Sequence, residues 1–109
     1  MIHLVARRIR SDHRDRVIGW LREIDGPRRA EALESIAAEG VDHETAMIID
    51  TSDGPIIVYA MQTDDLAGSR AVADESPRPV DAEHRAVMRS ADDGPAVAEI
   101  VLDLRADRA

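Results

Sequence analysis

The run HETAMIIDTSDGPIIVYAMQ, residues 43–62, decides the fold. Two stretches rich in β-branched and apolar side chains, 43–50 and 56–62, flank TSDGP. Asp and Gly favour tight turns, and Pro fixes its own φ and removes a donor. The run therefore predicts two strands joined as a hairpin. In the second strand Ile56, Val58 and Ala60 alternate with Ile57, Tyr59 and Met61, so both faces are apolar.

Outward from the hairpin, helical and extended patterns alternate. Residues 2–9, IHLVARRI, read as a first strand. Ser11 or Asp12 can cap a helix that carries Val17, Ile18, Trp20, Leu21 and Ile24 at helical spacing. The first DGP, at 25–27, interrupts that helix, with Pro27 placed to begin its continuation. Ala30, Leu33, Ile36 and Ala37 keep the period until Gly40, a C-terminal cap. After the hairpin, Thr63 or Asp64 caps a helix that Pro77 and Pro79 break. A further helix runs from Asp81 to about Ser90, and the DGP at 93–95 ends it. Residues 96–104, AVAEIVLDL, read as the last strand, and 106–109 as a polar tail. The order is β-α-β-β-α-β, an α+β ferredoxin-like pattern over a single domain, residues 1–105. It predicts a four-stranded antiparallel sheet with the helices on one face. Two-sided apolar strands leave the other face in need of cover, which predicts a homodimer through the open sheet face.

Two stretches, RRAEALESIAAEGVDHETAMI at 28–48 and ESPRPVDAEHRAVM at 75–88, carry a resemblance. The chain resembles an uncharacterised bacterial family, a domain of unknown function, in the dimeric α/β-barrel superfamily. The second stretch is the more specific. The resemblance implies a cavity between two sheets and names no reaction. Superfamily relatives include monooxygenases, mutarotases, cyclases and stress-response proteins, so the fold cannot assign chemistry.

Composition excludes several functions. The chain has 109 residues, 22 acidic and 14 cationic, all of the latter Arg, for a net charge of -8. Either a GC-rich genome or a high-salt cytoplasm accounts for the bias. This balance opposes nucleic-acid binding, since ARRIR at 6–10 is too short a basic patch. No basic amphipathic helix points to a membrane, no apolar run is long enough for a span or a signal peptide, and the expectation is a cytoplasmic protein. There is no Cys, so thiolate chemistry is absent. His3, His13, His43 and His84 are scattered, so no metal is expected. No Gly-rich phosphate loop or Gly-x-Ser-x-Gly elbow is present, and no cofactor is implied.

Seven residues are candidates for a site. His84 follows SPRPVDAE and can serve as an acid–base group, with Asp81 as helix cap and neighbouring charge. The competing reading is a structural hydrogen bond at the helix start, with the prolines setting the angle of its first turn. Tyr59 lines the inter-sheet cavity if it points away from the helices; otherwise it is a core residue. Glu99 interrupts an apolar strand, as a cavity carboxylate or as an ion pair with Arg7. Arg7, Glu44 and Trp20 are further ligand-contact candidates, although Trp20 also fits a core anchor and Glu44 a solvated strand end. Whether Arg7 or Arg8 faces the cavity depends on register. Three functions fit: a cofactor-independent enzyme acting on a small organic molecule by acid–base chemistry, a non-catalytic dimeric ligand- or protein-binding module, or a fold with a filled interior.

Overall fold

The structure, a computed structural model, describes residues 1–106. Strand β1 is Ile2–Ile9, followed by a 3₁₀ turn at Ser11–His13 and two helices, α1 (Arg14–Asp25) and α2 (Arg29–Ala38). Strands β2 (Val41–Thr51) and β3 (Gly54–Thr63) form the hairpin. Helices α3 (Leu66–Glu75) and α4 (Pro79–Ala91) lead to β4 (Asp92–Ala96). The four strands make one antiparallel sheet in the order β2-β3-β1-β4. The architecture is α+β, an open four-stranded sheet with four helices. Each crossover contains two helices, so the element order departs from a strict β-α-β-β-α-β pattern.

The hairpin turns at Ser52 and Asp53, where Gly54 takes φ +111°, a backbone conformation that favours Gly. The Thr51 hydroxyl donates to the Gly54 carbonyl at 2.7 Å and accepts from the Asp53 N–H at 3.2 Å. Gly40 follows α2 at φ +72°, and its N–H closes the helix end on the Ala37 carbonyl. The caps of the other helices differ from those the sequence predicts. His13 precedes α1 without a side-chain cap, because Ser11 and Asp12 are taken up by the 3₁₀ turn. Asp65, rather than Thr63 or Asp64, caps α3 by accepting from the Gly68 N–H at 2.9 Å.

Register fixes which side chains meet the helices. Ile57 is fully buried and packs with Ile9, Val17 and Ala91 in the core. Side chains alternate along a strand, so Pro55, Tyr59 and Met61 share the face of Ile57. Their partners Val5 on β1 and Ala46 and Glu44 on β2 lie on that face too. The opposite face carries Leu4, Ala6, Ile56, Val58, Ala60, Met47 and Ile49; Met47 and Ile49 are exposed there, while Ala6 and Val58 are buried.

The last strand is the main departure. β4 is formed by Asp92–Ala96, which includes the third DGP, and not by residues 96–104. Its pairing with β1 shifts register between Arg7 and Ile9, and Gly94 sits in this irregular stretch at φ +105°. The cause is where α4 ends. Ala91 is buried, its carbonyl accepts the Arg10 N–H at 2.8 Å, and Asp92 accepts two bonds from the Arg7 guanidinium at 2.8 and 2.6 Å. These contacts seat Asp92 beside Ile9 and draw the next residues into the sheet. Residues 97–106 leave the sheet, with Val97 96% and Leu104 83% exposed. Residues 107–109 of the expected polar tail lie outside the described residues.

Candidate functional site

Helix α4 starts where Ser-Pro-Arg-Pro permits it. Pro79 takes the first helical position, where a missing N–H costs nothing, and Arg78 is the cap. Asp81 is therefore the third helical residue and not the cap, and His84 lies three residues further on. The orphan N–H of Val80 is satisfied by Glu31 of α2 at 3.0 Å. Asp81 receives the hydroxyls of Ser35 at 2.6 Å and Ser76 at 2.5 Å. Both serines are buried. One carboxylate thus ties α2, the loop before α4 and α4 together.

His84 points from α4 to the sheet. Its Nδ1 accepts the Trp20 indole N–H at 2.9 Å, and its Nε2 lies 3.1 Å from the Tyr59 hydroxyl. The Trp20 and His84 rings stack at 28° with centroids 6.5 Å apart; Tyr59 meets His84 edge-on at 84° and 5.9 Å. Trp20 is buried on α1, and the Arg28 guanidinium lies 5.6 Å from its ring. Arg28 is held by Glu31 at 2.8 Å and by Glu83 at 2.6 Å. The three rings come from α1, β3 and α4, which is why no local pattern in the sequence joins them.

Tyr59 and His84 line a cleft of about 940 Å³ between the sheet and the helices, with Trp20 behind His84. Val5, Glu44, Ala46, Tyr59 and Met61 supply the sheet side, and Ile18, Ile36, Glu39, Asp81 and His84 part of the helix side. Burial pushes the Glu39 carboxyl up to about 7, with the charges of Glu44 and Asp81 adding to the shift and the Ser35 hydroxyl, at 3.4 Å, opposing it. Glu44 is pushed up by desolvation and by Asp81. The residue as a whole is exposed, so water at the cleft mouth limits that shift. Burial raises Tyr59, with Glu44 adding to it, so the phenol stays protonated. Burial lowers His84, and Asp81 only partly offsets it, so the imidazole stays neutral.

Five of the seven sequence candidates, His84, Tyr59, Trp20, Glu44 and Asp81, line or adjoin this cleft. Tyr59 turns to the helices, so the cleft it lines is on the helix side and not between two sheets. Two candidates lie elsewhere. Glu99 is exposed beyond β4, because the strand expected to carry it is not formed. Arg7 shares the face of Ile57 but is bound to Asp92, so the pair expected with Glu99 is absent; Arg8 lies on the open face. Sequence reasoning missed Glu39, Ser35 and Ser76. Glu39 had a signal: a carboxylate at a helix C-terminus opposes the macrodipole, and such a misplaced charge marks a residue kept for another reason. Among the described residues, no group of three or more His, Asp or Glu is placed to hold a metal ion. No described helix is long and apolar enough to cross a membrane.

A family model covers residues 1–109. The chain belongs to the DUF6176 family, a family of unknown function. No curated protein and no solved structure matches it. Membership agrees with a resemblance to a domain of unknown function and brings no reaction with it, so chemistry must be argued from the cleft.

Proposed function

We propose that the protein binds a small organic molecule in the helix–sheet cleft and moves a proton on it without a cofactor. The observation that carries this reading is that the Glu39 carboxyl, which burial pushes up to about 7, and the Tyr59 hydroxyl line the same cleft. A base works best when its pKa lies near the working pH. Glu39 takes a proton from a carbon acid, Tyr59 donates a hydrogen bond to the atom where charge builds, and Glu39 returns the proton to a second atom. The product is an isomer, and no electrons are exchanged with another reagent. His84 has both ring nitrogens engaged, so the geometry favours it as a positioning residue. The test is deuterium exchange from D₂O into a panel of small ketones, nitriles and imines. Exchange above the solvent rate is expected, falling by about 10²-fold or more in Glu39→Gln. No acceleration over buffer for any member overturns the proton-transfer reading.

A second reading, a non-catalytic dimeric binding module, is favoured by the apolar open face and the exposed apolar segment after β4. The strand order β2-β3-β1-β4, antiparallel throughout, supports placing the fold among ferredoxin-like dimeric α/β barrels. Saturable ligand binding without exchange would favour this reading over the first.

A further inference from the structure

The hydrogen-bond chain behind Tyr59 has a direction. An indole N–H is a donor only. Nδ1 of His84, bonded to it at 2.9 Å, must therefore be the unprotonated acceptor. A neutral imidazole with a bare Nδ1 carries its proton on Nε2, which faces the Tyr59 hydroxyl oxygen at 3.1 Å. Nε2–H donates, the phenol oxygen accepts, and the phenol keeps its own proton. Among the described residues His84 is the one side chain hydrogen-bonded to that hydroxyl. The proton is left for something in the cleft.

We infer that Trp20 sets the His84 tautomer, that His84 thereby turns the Tyr59 hydroxyl proton into the cleft, and that the ligand is a neutral carbonyl compound whose oxygen accepts it. This rests on the cleft being the binding site proposed above. A carbonyl oxygen fits because it accepts and cannot donate, so it complements a fixed donor. An anion is disfavoured because the carboxylates of the lining, Glu39, Glu44 and Asp81 among them, outnumber its arginines, Arg22, Arg29, Arg70 and Arg85. The guanidiniums nearest His84 already have partners. Arg85, the next residue on α4, gives its guanidinium to the carbonyls of Ala73 at 2.7 Å and Ser76 at 2.9 Å. Arg28, beyond Trp20, is neutralised by Glu31 and Glu83. The low proton affinity of the buried imidazole agrees with this arrangement, since an imidazolium would set two N–H groups against each other at Trp20.

Long-range ¹H–¹⁵N spectra of the whole labelled chain read the tautomer directly. The expected result is a bare Nδ1 and a protonated Nε2 on His84 at neutral pH. A protonated Nδ1, or an imidazolium, overturns the inference. In Trp20→Phe, His84 should become a mixture of both tautomers and titrate at higher pH; an unchanged tautomer there gives Trp20 no positioning role and also overturns it. Should that variant not fold, the wild-type spectrum still decides the tautomer. Tyr59→Phe, which keeps the Trp20 bond, tests the donor. The probes are cyclohexanone and methylenecyclohexane, alike in shape and differing in the acceptor oxygen. Shifts of the Trp20 indole and His84 resonances should show the ketone binding roughly tenfold tighter, the worth of one hydrogen bond, with the difference lost in Tyr59→Phe. Equal binding of both probes overturns the carbonyl assignment and leaves cleft binding standing. Binding of neither overturns the assignment together with the binding site on which it rests.

Discussion

Glu39 makes the clearest claim that a single residue can be held to. Its carboxyl is raised from its ordinary 4.5 to about 7, so the folded chain binds a proton that the unfolded chain has already released between those values. Stability from this group is therefore full below about pH 4.5 and is lost as pH rises through 7. Because the side chain is partly solvated, the loss is discounted to about 1–2 kcal/mol. His84 acts with the opposite sign. Its folded proton affinity is depressed, so stability from it is present above its unfolded value of 6.5 and falls as the pH drops below that. The two trends overlap, and a difference isolates Glu39. Urea unfolding of wild type and Glu39→Gln from about pH 4.5 to 8 should show the variant gaining relative stability as pH rises; a pH-independent difference would refute the raised pKa. His84→Leu tests the ring chain by another route. It leaves the buried Trp20 N–H without its acceptor, which should cost about 1–3 kcal/mol by the same method. An unchanged midpoint would mean that water replaces the imidazole.

Among the elements, the hairpin was legible and β4 was not, and the contrast has a physical cause. Residues 43–62 contain their own instructions: two apolar runs, a turn whose Gly takes positive φ, and a register pinned by local bonds. By local propensity AVAEIVLDL is a far better strand than DDGPA, yet DDGPA pairs with β1. Pairing was decided by the landing of α4, through Ala91 in the core and its carbonyl on the Arg10 N–H, and tertiary contacts outrank propensity where they conflict. The site shows the same division. His84, Tyr59, Trp20, Glu44 and Asp81 could be picked out by residue type, but their meeting depends on Tyr59 sharing the face of Ile57, which one residue of slip would reverse. Caps lie between these extremes. TDDLAG offers three side chains for the start of α3, and Asp65 alone bonds the Gly68 N–H. Asp65→Ala should therefore lower stability by about 1 kcal/mol, while Asp64→Ala should leave it within about 0.5 kcal/mol. Equal effects in thermal melts would show that either residue serves.

At the scale of the molecule, a net charge of -8 and a partly exposed apolar face both bear on how the chain behaves in solution. Described ion pairs such as Arg7–Asp92 and Arg14–Asp50 sit at partly exposed positions and contribute little each, so salt should screen repulsion among the surplus carboxylates more than it weakens attraction. The melting temperature is expected to hold or rise up to molar chloride, and a steady fall would show that the pairs dominate. The apolar surface poses the stronger question. Met47 and Ile49 are exposed on the face that also carries Leu4 and Ile56, and Ala98, Ile100, Leu102 and Leu104 fall on one side of the segment after β4 if that segment is extended. β4 pairs with β1 only from Ala6 to Ile9, so Ile2–Val5 have no described strand on that edge. An extended segment with one apolar side and a vacant strand edge complement each other in two copies of the chain, where a two-fold axis satisfies both segments at once. A stable pair needs about 800 Å² buried per partner. Light scattering of the whole chain at micromolar concentration should therefore give a dimer. Leu102→Asp places a charge on the segment without touching the cleft, and should give a monomer with unchanged circular dichroism. A monomeric wild type would refute the dimer. A dimeric Leu102→Asp would confine the interface to the sheet face and remove the segment from it.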